Sequence, residues 1–334
     1  MIYLLYYYYY SIIFKFSVIL YVRLIAGRGK ELYFVDLLLI VLPAFLIFGT
    51  GFIGQKLLKL NIKSISTMSL YLMLPFLTFD TFYTNELNIE YFYMFLFSLL
   101  LAIIIIGITN LTGKWIKSDK SELSALQLGT VFPNSGNYGA PVALFAFGSA
   151  GFDYAVIIMV IHALLINTIG IFIASYGSGK STTIKEACKS VLKMPVIYGV
   201  LLGIIFQIAH IELPPTILEG ISLVGSASIP TVMLILGMQL AEIKSAKFDL
   251  KYVNTVTMIR MILSPIIAVI LVNFMPVNDL IHKVFILLAA MPIAANTTML
   301  AVQFNVKPDL LSFTTLVTTL ISLITIPITI FFIR

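Results

Sequence analysis

The sequence predicts an all-α polytopic membrane protein with ten transmembrane helices, arranged as two inverted five-helix repeats in which broken helices 4 and 9 cross. Three observations support this class. The 334 residues are 60% hydrophobic and only 11% charged, whereas soluble domains average about 25% charged residues. Basic residues alternate between successive loops, and prolines recur at corresponding places in the two halves. The single cysteine excludes an intrachain disulfide and a cysteine-based metal cluster.

Ten apolar segments have the ~20 residues that a helix needs to cross a bilayer. Their predicted bounds are 36–55, 65–83, 91–113, 122–147, 152–176, 194–210, 217–241, 252–274, 281–304 and 310–333. The longest connection, a predicted cytoplasmic linker at 177–193, separates a first repeat at 36–176 from a second at 194–334. Because each half holds an odd number of spans, the halves have opposite orientations, as an inverted repeat requires.

The loops between these spans differ in charge. Fourteen lysines fall in the odd-numbered loops and one, Lys283, in the even-numbered loops. Since basic loops stay in the cytoplasm, the odd loops are predicted to be cytoplasmic and the first span to begin outside. We therefore expect a multi-pass protein of the plasma (inner) membrane, with the loop between spans five and six in the cytoplasm.

Residues 1–30 precede the first span and are apolar and rich in tyrosine. They lack the basic start of a signal peptide. They also carry Arg23, Arg28 and Lys30 on the predicted outer side, in conflict with the charge rule. Two interpretations stay open: an additional transmembrane helix, or a start codon placed too far upstream.

The fourth span is interrupted at residues 131–141, which read Val-Phe-Pro-Asn-Ser-Gly-Asn-Tyr-Gly-Ala-Pro. Proline removes a backbone donor and glycine relaxes the backbone, so a continuous helix is disfavoured. Broken helix is tolerated in hydrocarbon only where it is buried in protein or lines a cavity. The break therefore indicates a binding site. The residues predicted to shape it, with their counterpart in span nine, are Pro133, Gly136, Gly139, Pro141 and Pro292.

Aligning Pro133 with Pro292 places Asn137 on Asn296, so both halves read Pro-x-x-x-Asn. Each proline lies ~16 Å into its span, entered from opposite sides, by a rise of 1.5 Å per residue. Two broken helices can then cross near the midplane, where their inner N-termini present free N–H groups suited to a carboxylate. The predicted substrate-binding residues are Asn134, Ser135, Asn137, Asn296 and Thr297.

Three stretches carry a family resemblance. They are Pro133-Asn134-Ser135 leading to Gly139-Ala140-Pro141, then Arg260 to Pro265, and then Ala289 to Pro327 with Gln303 to Asp309 inside it. Together they resemble the auxin efflux carrier family of secondary transporters, which includes bacterial organic-acid carriers and plant PIN-type exporters. The resemblance covers the chain from the first span onward and leaves out residues 1 to about 30.

The resemblance implies a scaffold of spans one, two, six and seven and a mobile transport part that holds the crossed helices. It also implies homodimers and elevator-like alternating access. Asn134 matches the asparagine of the family motif. Asn137 departs from the plant pattern, in which an apolar residue is commoner, and this disfavours a plant hormone as the substrate.

Three ionisable residues inside the spans have two interpretations each. Arg260, ~13 Å into the membrane by helical rise, either attracts an anion or neutralises the negative end of a broken half-helix. Asp80 either takes up a proton or cation, or is solvated at the membrane edge. His162 either carries a coupling proton or is a hydrogen-bonded structural residue. By depth, Asp80 and Arg260 are not expected to pair.

The remaining motifs give little support for any other function. Residues 174–181 fit a loose Walker A pattern, but they follow a membrane span rather than a strand, so a flexible loop explains them and no nucleotide is expected. No hydrolase motif is present, which argues against an enzyme. The basic residues lie between apolar spans rather than on one face, which argues against nucleic acid.

These observations predict a secondary active transporter of small organic anions, such as mono- or dicarboxylates, working in the lipid bilayer as a homodimer. No cofactor or metal is expected, and coupling to H⁺ or Na⁺ stays open. A cation/proton antiporter of similar fold is the nearest alternative, although the paired acidic residues expected at its crossing are missing. An auxin-like weak-acid exporter and a signalling receptor are the others, the latter disfavoured because no soluble output domain is present.

Overall fold

The computed structural model of the chain describes residues 34–179, 182–243 and 250–333. Within these ranges the chain is helical and its one β feature is an isolated bridge. The helices are α1 Phe34–Leu58, α2 Ile62–Met68, α3 Leu74–Thr84, α4 Ile89–Trp115, α5 Lys120–Val131, α6 Ala140–Leu165, α7 Ile171–Ser178, α8 Ile184–Leu192, α9 Pro195–Ile208, α10 Pro215–Glu242, α11 Leu250–Met258, α12 Ser264–Val272, α13 Asp279–Ala289, α14 Ala295–Phe304 and α15 Pro308–Ile333. The predicted all-α polytopic class is confirmed, while the interpretations of residues 1–30 lie outside the described residues.

Within the described ranges, four π-helical turns lie between consecutive helices. They are Ser69–Met73 between α2 and α3, Ser135–Gly139 before α6, Ile166–Gly170 between α6 and α7, and Ile259–Leu263 between α11 and α12. Such turns are rare in proteins and often occur at functional sites. The second of them begins the half-helix that follows the predicted break in span four.

Among the described residues, seven helical segments are long and apolar enough to cross a membrane, or eight if α8 and α9 form one bent span. The prediction was ten spans, and the difference has local causes. Predicted spans four and nine are each divided by a break, and α9 is only 14 residues long. Predicted span five continues the segment Ser135–Ser178, whose 44 residues would extend ~66 Å as one helix. Gly148 interrupts that segment with φ 72° and ψ −164°.

Side-chain caps determine where several helices begin. Asp119 and Glu122 form a capping box at the start of α5, and Thr183 and Glu186 form another at the start of α8. The Asn278 side chain accepts from the Ile281 N–H at the start of α13. Each cap satisfies backbone donors that a helix leaves unpaired in its first turn. These signals are local, so the sequence predicts the helix starts to within a few residues.

The helices pack into two groups. Group one consists of α1, α2, α3, α9 and α10, in which α10 lies against α1 and α3 and α9 lies against α3. Group two consists of α4 to α7 and α11 to α15, and α1 lies against α15 and α6 of this group. A Cβ atom on Gly51 would overlap the Leu234 carbonyl, and one on Gly237 would overlap the Phe48 carbonyl. Reciprocal glycines therefore bring α1 and α10 into backbone contact.

The described part of the connection at 177–193 is partly helical. It contains α8, which is nine residues long and bends by 70° into α9. Gly179 ends α7 in the left-handed conformation, with φ 70°. The Walker-like stretch thus follows a helix rather than a buried strand, and its Lys180 and Ser181 lie outside the described residues.

Candidate functional site

The two helix breaks lie side by side. Pro133 and Ile293 form an antiparallel bridge. The Asn134 N–H donates to the Pro292 carbonyl at 2.8 Å, and the Ala294 N–H donates to the Phe132 carbonyl at 3.0 Å. Each break thereby supplies the backbone partners that the other one lacks, which is what a helix broken inside a membrane needs.

The hydrogen bonds correct the predicted register by one residue. They relate Pro133 to Ile293 rather than to Pro292, and the helix N-caps Asn134 and Ala294 obey the same relation. Asn137 therefore corresponds to Thr297, and Asn296 corresponds to Gly136. The proline-on-proline alignment missed this because only the backbone pairing, and not the proline spacing, sets the register.

The broken halves approach the bridge from opposite ends of the molecule. At one end, Lys307, just after α14, lies 3.9 Å from an Asp119 carboxylate oxygen and 3.6 Å from one of Glu122 at the start of α5. At the other end, the Asn278 amide before α13 donates to a Glu90 carboxylate oxygen at 3.0 Å. Helices α5 and α13 thus end with their C-termini facing each other across the bridge.

Arg260 lies between these two C-termini and is fully buried. Its guanidinium donates to the Thr130 carbonyl at 2.9 Å and to the Ala289 carbonyl, which belong to the last turns of α5 and α13. It also donates to the Ser264 hydroxyl at 2.8 Å. The positive group therefore neutralises the negative ends of both half-helices. Of the two interpretations of Arg260, these contacts match the capping one.

On the opposite side of the bridge, the N-termini of the outgoing half-helices are less satisfied. A helix leaves its first N–H groups without partners of its own, and the turn Ser135–Gly139 and α14 both begin here. The Asn134 Nδ2 group is buried without a hydrogen-bond partner among the described residues. Asn137 is half-buried, and its amide makes no hydrogen bond within the described part of the chain. These groups can receive a ligand.

The other predicted binding residues are placed differently. Ser135 is buried. Thr297 is also buried, and its hydroxyl donates to the Ala294 carbonyl at 2.8 Å, so it braces the start of α14. Asn296 is exposed and makes no hydrogen bond among the described residues.

The residues predicted to shape the break permit close packing. A Cβ atom on Gly139 would lie 2.5 Å from Leu288 Cδ2, and one on Gly136 would lie 3.2 Å from the Met159 sulfur. Pro141 lies just after the π-helical turn Ser135–Gly139, so its missing N–H removes a donor back to that turn. A side chain at 139 would displace the Leu288 side chain of α13 and would also lie 3.3 Å from the Asn134 carbonyl oxygen, whereas at 136 only the Met159 side chain would have to move.

Tyr138, which the sequence analysis missed, connects the break to both helix groups. It is fully buried and accepts a hydrogen bond from the Ser322 hydroxyl of α15 at 2.9 Å. Its ring packs edge-on against Phe45 and Phe48 of α1. The sequence signal that could have identified Tyr138 is its position as an aromatic residue between two glycines inside a helix break.

A cavity of about 590 Å³ opens between the two helix groups and reaches Ala295 at the start of α14. It lies at the end of the molecule that carries the lysine-rich loops. Its lining combines apolar, hydroxyl, amide and acidic side chains, namely Ile62, Leu236, Gln239, Leu240, Glu242, Ile243, Ala295, Thr298, Met299, Asp309, Ser312 and Thr315. The sequence analysis did not identify this lining, although polar residues inside apolar spans were a signal for it.

The two predicted coupling residues are placed differently: His162 lies within electrostatic range of Arg260, whereas no such interaction relates Asp80 to Arg260 among the described residues. Asp80 of α3 is half-buried and lies within electrostatic range of Asp153 of α6. No ion pair joins Asp80 to Arg260 within the described ranges. His162 is buried, and its Nδ1 atom has no hydrogen-bond partner among the residues described. The expectation of a hydrogen-bonded structural histidine is therefore not met at that nitrogen.

Apolar helices of membrane length, two broken helices that pair inside the protein and a polar cavity leading to the pair define an integral membrane protein of the transporter class. Residues 35–330 match the family described as membrane transport protein. The chain belongs to this family, the auxin efflux carrier family, which confirms the resemblance seen in the sequence.

Two archaeal relatives cover most of the chain. An uncharacterized transporter of Methanocaldococcus jannaschii is 26% identical over 299 residues, which are 87% of this chain and 96% of that protein. An uncharacterized transporter of Methanothermobacter thermautotrophicus is 24% identical over 303 residues, which are 88% of this chain and 95% of that protein.

Proposed function

We propose that the protein is a secondary active transporter of small organic anions, such as mono- or dicarboxylates, and that the paired breaks hold the substrate. One observation carries the proposal: Arg260 neutralises the C-terminal ends of both incoming half-helices, while the N-terminal ends of the outgoing halves keep unpaired donors. The positive ends of the dipoles are thus left for a ligand. Each stabilises an anion by up to ~2 kcal/mol when partly buried.

The charge balance around the bridge favours an anion over a cation. Arg260 is buried and makes no ion pair with a carboxylate in the described residues. The side chains nearest the outgoing N-termini are the neutral Asn134, Ser135 and Asn137. A carboxylate placed there gains hydrogen bonds from neutral amides and the field of two helix ends, without having to displace a protein carboxylate.

The packing supports ten helices in two inverted repeats. Exchanging the halves exchanges the α1–α10 contact with the α9–α3 contact, and both contacts depend on glycine against a backbone carbonyl. In this arrangement group one is the scaffold and group two is the transport part. We infer from the charge of the loops that the cavity opens to the cytoplasm. Substrate would then enter from that side in this state and cross as group two moves past group one.

A cation/proton antiporter is the alternative, and one observation favours it. Asp80 and Asp153 lie within electrostatic range of each other, so a proton or Na⁺ taken up by either carboxyl group would lower the repulsion between them. The pair joins α3 of group one to α6 of group two, away from the helix bridge. We therefore assign Asp80 to ion coupling rather than to substrate binding, with His162 as the other candidate for coupling. We also propose that the protein forms a homodimer in the plasma membrane.

Thermal stability of the purified protein tests the proposal. A ligand that binds the folded state raises the apparent melting temperature by mass action. We expect a shift with one class of carboxylate at millimolar concentration and no shift with the corresponding amide, which has the same size but no charge. A shift with Na⁺ or with pH alone, and with no carboxylate, would support the antiporter instead.

A further inference from the structure

Helix α8 exposes an apolar stripe that no part of the described chain covers. Ile184 is 76% exposed and Leu192 is 60% exposed, and Cys188 between them is exposed as well. These residues are spaced four apart, so they fall on one face of the helix. In a helix surrounded by water, exposing the larger apolar side chains along one face is unfavourable.

Basic residues flank this stripe. Lys185 and Lys189 each follow a stripe residue by one position, which is a rotation of ~100° around the helix, and Lys193 continues the row at the C-cap. All three are exposed. An apolar stripe beside a lysine row is the pattern of a helix that lies in the membrane interface, where lysine ammonium groups meet anionic headgroups.

The third face of α8 holds it against the transporter. Ala187 is buried, and the Ser190 hydroxyl donates to the Asn167 side-chain oxygen at 3.2 Å. Asn167 lies in the turn Ile166–Gly170, against which α8 packs. The helix is therefore fixed in orientation, with its apolar stripe between the body of the protein and the lysine row.

The path of the chain places this stripe at the level of a membrane surface. α8 and α9 meet at 70°, so α8 lies nearly parallel to the bilayer when α9 crosses it. Tyr198 of α9 is 53% exposed, and its hydroxyl donates to the Leu192 carbonyl at the end of α8 at 2.7 Å. Exposed tyrosines gather at the headgroup level of membranes, and Tyr198 fixes Leu192 at that depth.

We propose that α8 is a membrane-surface helix that binds anionic phospholipid on the leaflet where α9 begins. The stripe Ile184–Cys188–Leu192 enters the acyl boundary, and Lys185, Lys189 and Lys193 contact the phosphates. Because α8 is fastened to the turn Ile166–Gly170 of group two and continues into α9 of group one, the bound lipid anchors the joint between the two groups.

The single cysteine of the chain makes the test direct. A nitroxide spin label is attached to native Cys188 of the full-length protein in vesicles of phosphatidylcholine with or without phosphatidylglycerol. Its collisions with oxygen, which concentrates in lipid, and with a water-soluble nickel chelate are then measured. The matched control carries the label at position 193, through Lys193→Cys in a Cys188→Ser background, because Lys193 is exposed, lies on the lysine row rather than on the stripe and leaves the capping box of α8 intact.

We expect the label at Cys188 to show a several-fold higher oxygen-to-nickel collision ratio than the label at position 193, and the ratio at Cys188 to rise further with phosphatidylglycerol. Substituting the three lysines by glutamine should remove the dependence on anionic lipid and leave the apparent melting temperature in detergent unchanged. Equal nickel accessibility at both positions in both lipids would overturn the proposal. So would spin–spin broadening that disappears on dilution with unlabelled protein, since the stripe would then contact a second copy.

Discussion

At the scale of single residues, Arg260 connects elements that are distant in the sequence. Its partners Thr130 and Ala289 belong to different halves of the chain, and Ser264 also donates to the Ala289 carbonyl at 3.0 Å. Buried carbonyl groups without donors are costly, at ~1–3 kcal/mol each. One guanidinium with several fixed donors therefore holds both breaks together, which a flexible ammonium group cannot do equally well.

Arg260→Met should lower the stability of the folded protein by several kcal/mol, because the Thr130 and Val131 carbonyls lose their donor at ~1–3 kcal/mol each, while the Ala289 carbonyl keeps the Ser264 hydroxyl. The apparent melting temperature in detergent measures this. Arg260→Lys is the matched control: it keeps the charge and should recover part of the loss. A methionine variant as stable as the wild type would show that the guanidinium does not secure the breaks.

At the scale of elements, glycine positions distinguish close helix contacts from open faces. A Cβ atom on Gly51 of α1 would overlap the Leu234 carbonyl, whereas one on Gly54 of the same helix has no heavy atom within 4 Å. Gly51→Ala should therefore destabilise the protein by ~1–3 kcal/mol through overpacking. Gly54→Ala should be neutral or stabilising by up to ~1 kcal/mol, since alanine favours the helix.

Thermal unfolding of both alanine variants in the same detergent checks this pair. If both variants melted like the wild type, α1 and α10 would not be in backbone contact. If Gly54→Ala were the more harmful change, the register of α1 against α10 would be wrong.

Elements set by local chemistry could be predicted from the sequence. The apolar segments and the clustered prolines and glycines act within a few residues, so the helix starts and both breaks were predicted, and the breaks do meet. Features that depend on contacts across the chain could not be predicted. The one-residue register, the pairing of Arg260 with both halves and the contacts of Tyr138 each require knowledge of which segments approach each other.

At the scale of the whole molecule, the cavity between the helix groups predicts the side of the membrane from which solutes reach the paired breaks. Ser312 of α15 lines this cavity. In a Cys188→Ser background, Ser312→Cys should react with a membrane-impermeant maleimide in inside-out vesicles and not in right-side-out vesicles. Glu86→Cys, in a loop predicted to be outside, is the control and should show the reverse. Labelling of position 312 from outside alone would reverse the orientation.

The measurement that tests the central claim most directly is equilibrium binding of a radiolabelled carboxylate, chosen from the thermal panel, to the wild type and to Asn137→Ala. Losing one hydrogen bond to a charged ligand costs ~1.5–3 kcal/mol, so we expect affinity to fall ~10- to 100-fold with an unchanged melting temperature. Binding of wild-type strength in a folded Asn137→Ala protein would contradict the assignment of the substrate to the paired breaks.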